Sequence, residues 1–400
     1  MINTSVFREV KTWKKPLHIS HTLAAKHYLK FLQGLEIIGI TGSVGKTLTQ
    51  NAIASILSQK FKTIVGDENL DPTFRIPKTI LSAKPWHQKL VLEYGVEHPS
   101  DMDHYLSLVK PKIVVVTTIS PTHLKYFTDV EGVFAEKSKL VQALPRDGYA
   151  VLNADDQQVV KMANLTSARI CWFGQKSQDG VKISHFSQSL KGSKFRLHNN
   201  GDQATVSWKV VGHHQLLAAY AAATVGLICS MTLKQIAKGL SQTKPPIHRL
   251  NSITTKDIKI LDDTYNASPK AATEAIKTLV DLGKRLDKIA VLGEMKDLGT
   301  DSEKFHQELG QKISRSNINR LVTIGKIANF IGQAAEKHHF KGKIVSVPNT
   351  KEAIKTLKNI VTPKSVVLIK GSRHAHLERI VLGLLHKSTK INCYHCGTLK

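Results

Sequence analysis

The chain is poor in cysteine, in acidic residues and in aromatic rings. Four cysteines among 400 residues cannot staple a chain of this size. That excludes a disulfide framework and leads us to expect a reducing, cytoplasmic setting. No apolar run approaches the ~20 residues a membrane-crossing helix needs. The first residues, M-I-N-T-S-V-F-R-E-V-K, lack the apolar core of a signal peptide. Aromatic residues make up 6% of the chain, and no aromatic–basic nucleic-acid motif is among them. Asp and Glu number 31 against 57 Lys and Arg, a formal net charge of +26. The cations run along the whole chain instead of massing in one block. This argues for a solvated basic surface with a cleft for an anionic substrate, and against a nucleic-acid binder.

What is present is an ordinary hydrophobic content, 41%, in a chain long enough for two or three domains. Residues 1–35 read as a short N-terminal extension, helical around Ile19–Leu32. Residues 36–243 alternate strand-like and helix-like runs, with strands at Leu90–Tyr94 and Ile113–Ile119 and helices at Val133–Ala143 and Leu216–Cys229. Alternation over 181–211 around Asn199-Asn200-Gly201-Asp202 reads as a β-hairpin insertion. Lys244-Pro245-Pro246 marks a boundary. From 244 to 388 a second β-α-β series runs, and 389–400 is a loose tail. The fold class expected is α/β: a central domain with a phosphate loop on a mostly parallel sheet, then a Rossmann-like C-terminal domain. Cys393 and Cys396 in the tail form one C-x-x-C, which lacks the further ligands a zinc site needs.

The most informative segment is E-I-I-G-I-T-G-S-V-G-K-T-L-T-Q-N-A-I-A-S-I-L, residues 36–57. An apolar strand runs into a glycine-rich turn and then an amphipathic helix. Backbone N–H groups of such a turn and helix start point at anionic oxygens. Thr41, Gly42, Ser43 and Gly45 form the turn, Lys46 adds a mobile positive charge, and the Thr47 hydroxyl can ligate Mg²⁺. A strict phosphate-loop pattern has glycine where this chain has Ile40.

Other strand ends carry further chemistry. Glu93 closes V-L-E-Y-G, where a carboxylate can hold Mg²⁺ beside Thr47. His123, in T-H-L-K-Y-F, follows the next strand and can ligate a metal or orient phosphate. Lys137 sits in E-K-S-K-L on a helix. Asn153-Ala154-Asp155-Asp156 closes another strand as a turn or a ligand loop. In the second half, Arg249 of H-R-L can reach a γ-phosphate. Asp262 or Asp263 can bind a ribose hydroxyl, and Tyr265 can pack on a purine.

These segments, with L-G-E-M-K-D-L-G and K-G-S-R after them, occur in an order that resembles the Mur ligases, over residues 36 to about 385. The off-pattern glycines match that family's own T-G-x-x-G-K-T. Within the family, the resemblance is to members that add D-alanyl-D-alanine to a muramoyl-tripeptide. It implies an ATP-dependent amide-bond ligase of peptidoglycan precursor synthesis, working through an acyl phosphate, with ATP and Mg²⁺ as cofactors. By similarity, Gly45, Lys46 and Thr47 hold phosphates, and Glu93 and His123 serve the Mg²⁺ sites. Lys137 matches a lysine that CO₂ converts to a carbamate supporting a second Mg²⁺. Arg249 matches a γ-phosphate arginine, and Asp263, Tyr265 and Asn266 match a nucleotide-contacting loop. Catalytic roles fall to Lys46, Lys137, His123 and Arg249.

Three departures modify the expectation. Members carry an N-terminal domain for the UDP-sugar end of the acceptor, whereas about 35 residues precede the first strand here. Acceptor binding would then fall to the basic surface or to a partner chain, on an otherwise monomeric protein. The family's H-N-x-x-N reads His214-Gln215-Leu216-Leu217-Ala218, and Ala218 cannot hydrogen-bond through its side chain. Leu48 stands where a second hydroxyl residue is frequent. Three other readings stay open: a ligase of the same mechanism on another carboxylate acceptor (a lipid-linked precursor or a glutamate-type chain), a non-catalytic nucleotide-binding scaffold, and a nucleic-acid-binding phosphate-loop protein.

Overall fold

The computed structural model describes residues 15–66, 72–178, 180–393 and 397–399. Helix α1 (Lys15–Leu29) occupies the region expected to be helical over 19–32. It ends earlier because Lys30, Phe31 and Leu32 donate their N–H groups to carbonyls three residues back, tightening the chain into turns. The chain divides into two units. One holds residues up to 187 with 194–209 and 215–244; the other holds 188–193, 210–214 and the residues from 245 on.

The first unit is built on a parallel sheet of β1 (Glu36–Thr41), β2 (Thr63–Val65), β3 (Lys89–Glu93), β4 (Ile113–Val116), β5 (Tyr149–Asn153) and β6 (Arg169–Phe173), ordered β2-β3-β1-β4-β5-β6. Its central strands are nearly unbroken apolar runs because helices cover both faces. The helices are α2 (Lys46–Leu57), α3 (Pro72–Ser82), α4 (Asp101–Leu108), α5 (Leu124–Phe127), α6 (Val130–Gln142), α7 (Gln157–Lys161), α8 (Leu216–Ile228) and α9 (Leu233–Gln242). Leu90, Leu92, Val114 and Val116 face Tyr105, Val133 and Leu140 in one core. Against α2, helix α9 comes so close at Gly239 that an added Cβ would lie 2.4 Å from the Ile56 Cα.

The expected hairpin insertion is instead a three-stranded sheet, β7 (Lys182–Ser189), β8 (Gly192–Asn199) and β9 (Asp202–Trp208). Asn200 and Gly201 turn with φ of 47° and 88°, the geometry of a tight hairpin link. That turn joins β8 to β9, the expected hairpin; the additional strand is β7, which a second turn at Leu190-Lys191 folds back onto β8.

The second unit has β10 (Asn251–Thr254), β11 (Lys259–Asp263), β12 (Asp287–Leu292), β13 (Arg320–Ile324), β14 (Lys343–Val347) and β15 (Ser365–Lys370), ordered β10-β11-β15-β12-β13-β14. All pairs are parallel except the edge strand β10. Period-two alternation splits its apolar residues between two cores. Ala290, Leu292, Val366 and Leu368 pack with α10 (Pro269–Leu282), α11 (Ser302–Ser314) and α12 (Asn329–Lys337). Ile289, Val291, Val367 and Ile369 pack with α13 (Thr350–Ile360) and α14 (Glu378–Leu384). This is the doubly wound arrangement.

In place of a loose tail, β16 (Ile391–Cys393) and β17 (Gly397–Leu399) pair antiparallel. Cys396 lies outside the described residues. Among the described residues, no helix is long and apolar enough to cross a membrane.

Candidate active site

The turn after β1 is held from one side by the segment after β4. Strand β4 stops at Val116, short of the expected Ile119, because Thr117 and Thr118 turn to bind the phosphate loop. Ser43 N donates to the Thr118 carbonyl at 2.7 Å, and Val44 N to the Thr118 hydroxyl at 3.3 Å. The Thr117 hydroxyl donates to the Val44 carbonyl at 2.7 Å. The Ser43 hydroxyl donates to the Ser120 carbonyl and accepts from Ser120 N, at 2.9 and 3.0 Å. Gly42 allows this approach: a Cβ there would lie 2.0 Å from Thr117 Oγ1. Gly45 has φ of 87° and caps α2 without a side chain, so its role is conformational. The Thr41 hydroxyl donates to the Tyr94 carbonyl at 2.8 Å, tying β1 to the end of β3.

Behind this segment stands Asn153, whose amide donates to the Thr117 carbonyl at 2.7 Å. Asp156 accepts from Ile119 N and caps α7 through Gln158 N and Val159 N. Asp155 accepts from Gln175 N and Lys176 N. The N-A-D-D run is therefore a strut for the loop after β4.

At the start of α2 the Thr47 hydroxyl donates to Glu93 Oε2 at 2.9 Å, and both residues are buried. Sequence position alone places Glu93 at the end of its strand; the helix–strand juxtaposition makes it the partner of Thr47. Arg75 of α3, 4% exposed, lies 3.5 Å from the same carboxylate oxygen and donates to the Glu93 carbonyl at 3.4 Å. Nothing in the sequence singles out Arg75, a lone arginine on a helix. The Lys46 Cε and Glu93 Oε1 both lie within 3.8 Å of where a Cβ at Gly95 would stand, which places the lysine beside Glu93.

Lys137 is 2% exposed on α6. Burial and then the charge of Lys46 bring its pKa from 10.5 down to about 7, against Glu93, Glu136 and Asp101. An amine poised this way is substantially neutral, hence nucleophilic, near neutral pH. Glu136 beside it accepts from Met102 N at 2.8 Å, at the start of α4, and from Lys139 at 2.7 Å. His123 starts α5 with φ of 54°. Burial, then Lys137, Lys46 and His98, hold its pKa down at about 3, which keeps its imidazole neutral and able to offer a lone pair. Among the described residues, no group of three His, Cys, Asp or Glu side chains gathers into a metal cage.

In the second unit, Arg249 lies with its guanidinium carbon 4.0 Å from the Tyr265 ring centroid, and Arg373 lies 5.8 Å from it. The Tyr265 face is therefore engaged by arginine. Asp263 accepts from Leu250 N at 3.1 Å and from the buried Lys370 at 2.6 Å. Lys370 also reaches the Asn266 carbonyl at 2.9 Å. Asp262 binds His248 at 2.7 Å and the Thr264 hydroxyl at 2.7 Å. Burial works to lower the His248 pKa, but the Asp262 hydrogen bond and charge raise it overall. Both aspartates thus shape the loop that presents Arg249 and Tyr265. Burial holds His214, next to Gly212, at a pKa of about 4. Ala218 is packed in the first unit as an apolar residue of α8.

Two family models match the chain: the Mur ligase middle domain over residues 40–226 and the Mur ligase glutamate ligase domain over 248–373. The chain is similar to the UDP-N-acetylmuramoyl-tripeptide–D-alanyl-D-alanine ligase of Buchnera aphidicola (33% identity, covering 88% of this chain and 76% of that one). It is also similar to the ligase of the same name from Bacillus subtilis (31%, 90% and 78%). Among solved structures, MurF from Acinetobacter baumannii aligns with a TM-score of 0.84 at 27% identity, over 92% of this chain and 81% of that one. MurF ligase from Thermotoga maritima in complex with ADP aligns with a TM-score of 0.81 at 25% identity, over 92% and 84%. The ordered strand-end motifs, the clamped phosphate loop and these matches agree: the chain belongs to the Mur ligase family.

Proposed function

We propose that this chain is an ATP-dependent ligase that joins D-alanyl-D-alanine to the terminal carboxylate of a UDP-N-acetylmuramoyl-tripeptide. The observation that carries this reading is the buried Thr47–Glu93 pair at the head of α2, with the poised Lys137 within electrostatic reach of Glu93. A carboxylate is a poor acyl donor, and transfer of the γ-phosphoryl group of ATP makes it an acyl phosphate with a good leaving group. The α2 amides and Lys46 hold the phosphates and offset their charge. Arg249 neutralises charge on the transferring phosphoryl group. The amine of D-alanyl-D-alanine then attacks the acyl carbon, the tetrahedral adduct collapses, and inorganic phosphate departs.

The Thr47 hydroxyl and the Glu93 carboxylate offer paired oxygen donors suited to Mg²⁺, which takes few protein ligands and keeps water and phosphate oxygens, and the neutral His123 is a further candidate for the metal site. Mg²⁺ held there would polarise the phosphate oxygens, with Lys137, once carbamylated, adding a further anionic ligand. The half-neutral Lys137 amine is in the form that attacks CO₂. Asp263, Tyr265 and Asn266 are candidates for nucleotide contact on the second unit, with His214 near them.

The test is phosphate release from Mg-ATP in the presence of UDP-N-acetylmuramoyl-tripeptide, with and without D-alanyl-D-alanine, with mass spectrometry of the product. Release that needs both substrates and yields the joined peptide is expected. Lys137→Ala is expected to lose about 100-fold or more of the turnover while keeping its fold and its ATP binding. A folded, ATP-binding protein that releases no phosphate with both substrates would transfer the assignment to a different carboxylate acceptor.

A further inference from the structure

The end of the first unit's sheet opposite the phosphate loop has a composition that the ligase reaction does not use. Because the sheet is parallel, the connections that enter all six strands gather along this edge. Backbone hydrogen bonds stitch them into one continuous rim. Glu36 N donates to Gln88 O, Gln88 N to Lys62 O, Lys112 N to Ile37 O, Tyr149 N to Lys112 O, and Arg169 N to Gly148 O.

The rim is strongly cationic. Lys30, Lys62, Lys84, Lys110, Arg146 and Arg169 are all exposed on it. Along the connections and the first residues of the strands, the carboxylates are Glu36 and Asp147, and each is already ion-paired, with Lys89 and Lys112. Two large aromatic side chains stand out of the same rim, Phe31 at 76% and Trp86 at 65% exposure. The segments that carry them are tied together: the Tyr28 hydroxyl, one turn before Phe31, donates to the Ala83 carbonyl, three residues before Trp86, at 2.8 Å. Phe61, on the connection that enters the edge strand β2 beside the strand that follows Trp86, is capped by the ammonium groups of Lys60 and Lys89 at 5.3 and 4.6 Å.

We propose that this rim docks the protein peripherally on an anionic phospholipid bilayer, with Trp86 and Phe31 entering the headgroup region and the lysines and arginines meeting the lipid phosphates. Positive side chains near such a surface are each drawn to it, and tryptophan favours the interface between headgroups and acyl chains. Exposed aromatic rings at the centre of a charged rim fit a bilayer better than the stacked bases of a nucleic acid. A nucleic acid is read by aromatics lining a basic groove, and this rim is an outward edge. Docking here would leave the phosphate loop, at the other end of the strands, facing away from the membrane. The inference does not depend on the acceptor assigned above.

The test uses the whole chain and vesicles of phosphatidylcholine with about 30% phosphatidylglycerol, against pure phosphatidylcholine, in a flotation assay. Binding to the anionic vesicles is expected, with loss at roughly 0.5 M salt and none to neutral vesicles. The double variant Lys62→Ser, Lys84→Ser should bind roughly 25-fold more weakly. Lys304→Ser with Lys337→Ser, an equal charge change on the second unit, should bind as the parent does. Tryptophan emission should shift to the blue on the anionic vesicles in the parent and not in Trp86→Phe, a conservative change at an exposed site. The proposal is overturned if anionic vesicles are not bound, if the second-unit variant weakens binding equally, or if a single-stranded RNA binds more tightly through the same lysines. Displacement by free inorganic phosphate at concentrations that leave ionic strength unchanged would also overturn it.

Discussion

Glu93 is where the chemistry of single residues is most exposed to failure, because its buried carboxylate depends on the groups around it. Arg75 is one of them, with side-chain exposures of 5% and 7% for the pair. Removing one partner of a buried ion pair leaves an uncompensated charge, typically at a cost of about 3 kcal/mol. Arg75→Met should therefore lower stability by about that amount in urea denaturation and raise the KM for Mg-ATP, since Glu93 loses its anchor beside Thr47. Adding Glu93→Gln to Arg75→Met should restore part of the stability and none of the activity. An unchanged urea midpoint in the single variant would mean that Arg75 does not support Glu93. The sequence made Thr47 and Glu93 legible, since a hydroxyl after a Gly-Lys pair and an acid at a strand end are recognisable by position. It left Arg75 silent, because burial of an arginine depends on which helix the third dimension lays across the strand. The same holds for Asp262 and Asp263. As strand-end acids they read as ribose ligands, yet their oxygens accept from Leu250 N, Lys370, His248 and Thr264.

Among elements, α2 matters most, because its N-terminus carries Lys46 and Thr47 while its flank is the floor on which α9 rests. At Gly239 the two backbones meet without an intervening side chain. Gly239→Ala places a methyl group 2.4 Å from the Ile56 Cα and 2.8 Å from the Ser55 carbonyl, neither of which can rotate away. The helices must separate, at about 1–3 kcal/mol for overpacking. The expected result is a lower urea midpoint together with a higher KM for ATP; a variant as stable as the parent would show that α9 yields freely. The element pattern itself was largely readable, since apolar strands alternated with amphipathic helices on both sides of Lys244. One strand that went unread and one boundary that moved have local reasons. Strand β10 is short and owes its existence to antiparallel pairing with β11. Strand β4 ends at Val116 because the threonines after it serve the phosphate loop.

For the whole molecule, burial of basic groups sets a pH dependence distinct from its large net charge. His104, His123 and His214 have pKa values brought down chiefly by burial to about 4, 3 and 4, from 6.5. Between those values and 6.5 the unfolded chain binds more protons than the folded one, so stability rises with pH through this window and falls on acidification. Lys137 acts in the same sense higher up: with a folded pKa of about 7 against 10.5, it adds stability as pH rises from about 7 toward 10.5. Urea titrations from about pH 4 to about pH 9 should show a rising apparent stability. In bicarbonate-free buffer the part above pH 7 should vanish in Lys137→Met. A pH-independent stability across the acid range would mean that these imidazoles titrate alike in the folded and the unfolded chain.

The hydrogen bonds that run from Asn153 to Thr117, and from Thr117, Thr118 and Ser120 to Ser43 and Val44, have a consequence for how a nucleotide arrives. The phosphate loop is latched to its neighbours by the protein's own hydrogen bonds, so little of its conformational freedom is left to be frozen on contact. A triphosphate meets a finished mould, and the selectivity of that first encounter comes from fit to a fixed shape and not from a loop that wraps around its guest.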